Sequence, residues 1–202
     1  LTKLILIRHG QTIWNALGKY QGQSDIELSE TGIEQAERLA QNFPLAKIDA
    51  IYSSDLKRAH KTATCIAAQF KLPVQSKTAL REMNFGDWEG LNYDQINAKW
   101  GGMMQHFFAN PDTAQIPGGE SFAQLQQRAT KAVLSICEDH PDQTIVIAAH
   151  GAVNRTILAE ALHMPLRYIW SIRQDNTAVN ILTYNGLERS IELMNSTEHL
   201  KK

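Results

Sequence analysis

The chain has 202 residues, 20 Lys and Arg against 21 Asp and Glu for a formal net charge of −1, and 43% apolar residues. One compact core is expected from that length and composition, while disorder and a polyanion-binding surface are not. The longest apolar stretches, such as 4–7 and 145–149, fall far short of the roughly 20 residues of a membrane span and are too short for a signal-peptide core. A cytoplasmic protein with neither membrane nor nucleic-acid partner is therefore expected. Cys65 and Cys137 both sit in helical patterns, which suits buried thiols rather than a disulfide or zinc framework.

Residues 3–7 form an apolar run rich in β-branched side chains that stops at Arg8-His9-Gly10, which predicts a buried strand running into a loop. Thr31 and Glu34 make a capping-box pattern, and Ile33, Ala36, Leu39, Ala40 and Phe43 follow at helical spacing before Pro44. Residues 51–53 read as a short strand. A second amphipathic helix follows, with Leu56, Ala59, Ala63, Ile66, Ala67 and Phe70 on one face, and residues 73–76 add another strand. The stretch 81–119 is irregular apart from a short helix over 93–100, capped by Asn92 and Gln95.

Ser121 and Gln124 open a long helix through Phe122, Leu125, Ala129, Val133 and Ile136 to about His140. Residues 144–149 are a near-continuous apolar strand ending at His150-Gly151, and a helix through Ile157, Leu158, Ala161 and Leu162 comes next. Residues 178–184 and 188–193 alternate on either side of Asn185-Gly186, a strong hairpin signal. The polar tail from Asn195 is expected to be loose. Alternating strands and helices predict a three-layer α/β/α sandwich with a mainly parallel central sheet and an antiparallel C-terminal edge hairpin. The whole chain, 1–202, reads as one domain with a lid-like insertion at about 83–119.

Ligands in open α/β sheets bind beyond the carboxyl ends of the strands, and two of the best strands here end in histidine. His9 and His150 are each followed by glycine, Gly10 and Gly151, which lets the backbone turn closely around a ligand. Arg8 adjoins His9, and Arg58 falls in the first turns of the helix after Ser53-Ser54-Asp55. Guanidinium groups beside free helix N–H groups suit a phosphate or carboxylate. Asn15 offers one more neutral donor. A phosphoryl reaction also needs a proton for its leaving oxygen, and the aromatic-flanked loop 81–90 supplies Glu82, Asp87 and Glu89, among which residue logic does not choose.

Arg8-His9-Gly10-Gln11-Thr12-Ile13-Trp14-Asn15 resembles the Arg-His-Gly signature of the histidine phosphatase, or phosphoglycerate mutase-like, superfamily. The segments 28–32, 53–59, 80–90 and 149–151 resemble further blocks of that family in the same order. The resemblance implies that His9 attacks phosphorus and becomes a phosphohistidine, that Arg8, Arg58 and His150 hold the phosphoryl oxygens, and that Glu82 is the general acid. It places Asn15 at a phosphate contact, Gln21 and Gly22 at the mouth of the pocket, and Gly151 against the substrate. Donors fixed in advance around the phosphoryl group imply no metal and no cofactor. His9 would be neutral at its attacking nitrogen, with a backbone carbonyl near Gly10 taking the other N–H.

The same residues serve phosphatases and cofactor-dependent phosphoglycerate mutases. Mutases of the family are longer, carry Glu-Arg-His-Tyr-Gly where this chain has Glu82-Met83-Asn84-Phe85-Gly86, and clasp the substrate carboxylate with paired arginines. Between positions 82 and 127 the one basic residue is Lys99, against Glu82, Asp87, Glu89, Asp94, Asp112 and Glu120, a poor setting for a second anionic group. The expected activity is metal-independent hydrolysis of a small phosphate monoester, with α-ribazole 5′-phosphate or a broad range of small metabolites as substrate. A mutase, or a binding module that has lost turnover, is the alternative. Met103, Met104, Phe107 and Phe108 form either a mobile apolar lid over a substrate with a neutral or aromatic body or a short core-facing helix. The sequence does not distinguish monomer from homodimer.

Overall fold

A computed structural model describes residues 1–186 and 188–201. Six strands form one mixed sheet: β1 (Thr2–Arg8), β2 (Ala50–Ser53), β3 (Val74–Ser76), β4 (Thr144–Ala149), β5 (Val179–Asn185) and β6 (Glu188–Ser196), in the spatial order β3-β2-β4-β1-β5-β6. The first four run parallel, whereas β5 and β6 add an antiparallel edge beside β1. The expected sandwich and its edge hairpin are both present, although Leu187, next to the expected Asn185-Gly186 turn, lies outside the described residues.

Among the described residues seven α-helices accompany the sheet: α1 (Ile13–Ala16), α2 (Glu30–Gln41), α3 (Lys57–Phe70), α4 (Tyr93–Lys99), α5 (Met103–Ala109), α6 (Phe122–Glu138) and α7 (Gly151–Ala161). Alternate residues of β1 point to opposite faces, as a pleated strand requires. Ile5 and Ile7 pack with Leu39, Ala63 and Ile66 of α2 and α3. Leu4 and Leu6 pack with Leu125, Val133 and Ile157 of α6 and α7. Both faces of the central strands are covered, which accounts for their continuous apolar runs.

The caps at Asn92 and Ser121 form as expected, each closed reciprocally by Gln95 or Gln124. The start of α2 differs. Its cap is Ser29, whose Oγ accepts from Gly32 N at 3.1 Å, and not Thr31. Ser29 also bonds through its own N–H to the Gln11 carbonyl at 2.9 Å, so a tertiary contact with the loop after β1 fixes where the helix begins. The tail is likewise not loose. β6 continues to Ser196, His199 Nε2 meets Thr177 Oγ1 at 3.0 Å, and Arg38 Nη2 donates to the Lys201 carbonyl at 3.0 Å. In α5, Met104 and Phe107 point into the core at 0% and 1% exposure while Phe108 stays 42% exposed. Phe107 stacks on Phe122 and meets the edges of Trp88 and Trp170, so core packing takes up the inward side of this helix.

Candidate active site

The pairing of β1 with β4 brings the two histidines together. Those strands are parallel neighbours with Arg8 in register with Ala149, so the residues that follow them, His9 and His150, leave the same edge of the sheet side by side. His9 N donates to the Ala149 carbonyl at 3.1 Å, and the two imidazole centroids lie 5.2 Å apart at 61°. His9 is 2% exposed and His150 is fully buried. His9 Nδ1 lies 2.6 Å from the Gly10 carbonyl, which takes up that nitrogen as donor and leaves Nε2 as the ring's lone-pair nitrogen. Both ring nitrogens of His150 are buried without a protein partner among the described residues. Burial first, then the Arg58 charge, holds both histidines well below the ordinary imidazole range, so both are neutral at pH 7.

Two arginines complete this edge. Arg58 is fully buried at the start of α3, with Nη1 donating to the Ser24 carbonyl at 2.8 Å and Nη2 to the Gly22 carbonyl at 2.7 Å. Arg8 donates from Nη1 to the Gln174 carbonyl at 2.6 Å. The Nε of each is buried and unpartnered among the described residues. Burial lowers both guanidinium pKa values to about 10, so both remain charged at neutral pH. Unpaired buried donors are uncommon in folded proteins. Here Arg8 Nε, Arg58 Nε and the His150 ring nitrogens belong to residues gathered around the His9 ring, a donor set suited to a tetrahedral oxyanion.

Glu82 joins the site from the loop after β3. Its Oε1 accepts from Met83 N at 2.8 Å and Val153 N at 3.2 Å, and its Oε2 accepts from Ala152 N at 3.2 Å. The carboxylate thus sits on the free N–H groups of the first turn of α7, directly after His150. The other two candidate acids diverge. Glu89 ties the loop together, accepting from Gln23 N, Ser24 N, Ser24 Oγ and Phe85 N at 2.8, 2.9, 2.6 and 3.2 Å. Asp87 instead lies beside Gly118.

Of the remaining expected positions, Gly22 supplies the carbonyl that holds Arg58 and Gly151 directly follows His150 at the start of α7. Asn15 Oδ1 accepts from Thr12 N at 3.1 Å and, in a longer bond, from Asn176 Nδ2 at 3.4 Å, so its amide NH2 is the group left for a ligand. Gln21 is buried, its Oε1 accepting from Thr12 Oγ1 at 2.7 Å. Gly22 has φ +53°, and a Cβ there would fall 2.0 Å from Glu89 Oε1. Gly151 begins α7, and a Cβ there would stand 3.2 Å from Arg155 Nη1 and 3.5 Å from Arg8 Nε.

Three supporting residues had no distinctive signal in the sequence. Arg128 of α6 grips Glu120 through two bonds and donates to the carbonyls of Ala79, Arg81 and Glu82. Thr62 Oγ1 accepts from Gly10 N at 3.1 Å and donates to the Arg58 carbonyl at 2.8 Å, joining the two arms of the pocket. Arg155 reaches the site from α7. Its one sequence cue is its place four residues after Gly151 on the helix that His150 opens.

The family model described as histidine phosphatase superfamily (branch 1) matches residues 4–197. The chain belongs to that superfamily. This histidine phosphatase is 32% identical over 200 residues to phosphoserine phosphatase 1 of Hydrogenobacter thermophilus, covering 99% of this chain and 95% of that one. It superposes with a TM-score of 0.90 and 34% identity on a mutant phosphoserine phosphatase of Entamoeba histolytica in complex with phosphoserine, covering both chains fully. It is also similar to an α-ribazole phosphatase of Shigella flexneri, with a TM-score of 0.87, 29% identity and 96% of each chain covered. Phosphoric monoester hydrolysis is the chemistry of this histidine phosphatase, as its superfamily and its phosphatase relatives indicate.

Proposed function

We propose that the chain hydrolyses small phosphate monoesters through a phosphohistidine on His9, without a metal. The observation that carries this reading is the set of buried, unpartnered nitrogens of Arg8, Arg58 and His150 around the anchored imidazole of His9. In the first step His9 Nε2 forms a bond to phosphorus as the ester P–O bond breaks, and Glu82 delivers a proton to the departing alcohol oxygen. Arg8, Arg58 and His150 hold the three equatorial oxygens throughout, so their stabilisation is greatest where negative charge spreads in the transition state. In the second step Glu82 takes a proton from water, the water oxygen bonds to phosphorus, and the N–P bond breaks to return neutral His9 and inorganic phosphate. Asn15, Gln21 and Gly22 border the entrance, and Gly151 keeps the α7 backbone close to the substrate.

The core packing of Met104 and Phe107 leaves only Phe108 and part of Met103 of the apolar surface on which a neutral or aromatic-bodied substrate was expected to rest, so this reading favours a small polar ester over α-ribazole 5′-phosphate. The test is phosphate release from p-nitrophenyl phosphate in excess chelator, together with alkaline-quench trapping of enzyme labelled from a phosphorus-labelled ester. Chelator-resistant turnover and a phosphoenzyme with acid-labile, alkali-stable label, both lost in His9→Ala, are expected. Turnover that persists in His9→Ala would refute the reading. Isomerisation of 3-phosphoglycerate dependent on 2,3-bisphosphoglycerate, outpacing hydrolysis, would replace it with the mutase.

A further inference from the structure

Arg155 is a half-buried guanidinium that makes no ion pair with any acid among the described residues. Helical side chains lean back toward the N-terminus of their helix, and Arg155 accordingly returns its head group to the start of α7. Its Nη1 stands 3.2 Å, and Arg8 Nε 3.5 Å, from the point where a Gly151 Cβ would lie. Two cationic forks thus converge on a residue without a side chain, and neither makes an ion pair with an acid among the described residues. Arg155 Nε donates to the Ile172 carbonyl at 2.8 Å, and its guanidinium lies 5.6 Å from the Trp170 ring centroid. These contacts fix the fork while both Nη groups remain without a protein partner among the described residues.

Like charges this close in a partly desolvated place repel, and they gain from an anion that both can reach. Apart from burial, the Arg155 charge is the largest influence lowering the Arg8 pKa. Two acids act on both arginines: Glu82 is already engaged by the N–H groups of Met83, Ala152 and Val153, and Asp175 by Arg173 and Asn195. The phosphoryl group is accounted for by Arg8, Arg58 and His150. What remains is a single planar fork with two free nitrogens, a pattern that matches a carboxylate in bidentate fashion.

We infer that Arg155 is the subsite for a carboxylate on the carbon chain that bears the phosphate, so that the preferred substrates are short phosphorylated carboxylic acids. This inference rests on the phosphatase reading above and names its substrate class. The acidic balance of residues 82–127 argued against a second anionic group, but Arg155 lies outside that segment, on α7.

The matched pair 3-phosphoglycerate and the glycerol phosphate of the same configuration differ only in carboxylate against hydroxymethyl, and so isolate the interaction. Wild-type kcat/KM is expected to favour the acid by about tenfold or more, chiefly through KM. Arg155→Gln is expected to lose most of that ratio, with the acid's KM rising and glycerol phosphate falling by less than about threefold. Arg155→Lys should restore part of the ratio, because the charge returns without the planar fork. The inhibition constant of inorganic phosphate, measured on the same folded variants, reports whether the phosphoryl pocket is intact. Parallel losses on both substrates would mean that Arg155 merely anchors Ile172, and would overturn the inference. So would a wild-type enzyme indifferent to the carboxylate, or a ratio unchanged in Arg155→Gln. Absence of p-nitrophenyl phosphate turnover in the wild type would instead mark failure of the phosphatase reading itself.

Discussion

Replacing Arg128 by Met tests whether the position of Glu82 is held from behind. The Arg128 guanidinium makes five hydrogen bonds, two to the Glu120 carboxylate and one each to the carbonyls of Ala79, Arg81 and Glu82. The Arg128 and Glu120 side chains are 24% and 19% exposed. Removing one member of a fully buried pair costs about 3–5 kcal/mol, whereas an exposed pair is worth about 0–1 kcal/mol. Part of that penalty is offset here, because Glu120 keeps the Asn84 N–H at 2.8 Å and water reaches both groups. We therefore expect a loss of about 3 kcal/mol, or about 6–12 °C in melting temperature for a chain of this size. Far-ultraviolet circular dichroism melts of Arg128→Met, beside Arg173→Met as an exposed control, measure it. Arg173 pairs with Asp175 at 2.9 Å but is 78% exposed, so its loss should cost under about 1 kcal/mol. Below the melting range, kcat should fall more than KM rises, since the Glu82 carbonyl loses an anchor while the phosphoryl donors stay. Equal melting shifts in the two variants, or full kcat in Arg128→Met, would refute the argument.

Three further outcomes follow from the same geometry. Gly22→Ala combines a left-handed φ with a clash on the well-anchored Glu89 carboxylate. The strain alone costs about 1–2 kcal/mol, and displacement of the carbonyl that holds Arg58 should raise KM for every phosphate ester, checked by steady-state kinetics. His9, His150 and His199 are all depressed by burial, His199 to about 4. An unfolded chain binds protons at these sites below its ordinary pKa of about 6.5 while the native state does not. Stability should therefore be level above about pH 7.5 and decline as pH falls from about 6.5 toward the folded pKa values, and urea melts at several pH values test this; His199→Asn should flatten part of the slope. Finally, phosphate or vanadate at 100 times its Kd should stabilise the protein by about 2.7 kcal/mol, read as a rise in melting temperature that His150→Ala or Arg58→Met diminishes.

Sequence alone determined the elements whose signals are local. The apolar run of β4, the reciprocal caps at Ser121 and Asn92, and the alternation of β5 and β6 each depend on neighbouring residues, and so could be read from composition and spacing. It also marked His9, Arg8, Arg58 and His150 as candidates, because residue type and position at strand or helix ends carry their chemistry, and the family resemblance added the choice of Glu82. Where α2 begins was not local, since Ser29 is held by Gln11, nor was the docking of the tail on Thr177 and Arg38. Only the tertiary structure decided which acids meet the histidines: Glu82 is drawn to the free N–H groups of α7, while Glu89 is spent on the loop around Ser24. Only the tertiary structure, too, brought Arg155 against Arg8. Charges counted along one segment say nothing of a guanidinium that arrives from another element, and a pocket is made by whatever the sheet's register places side by side.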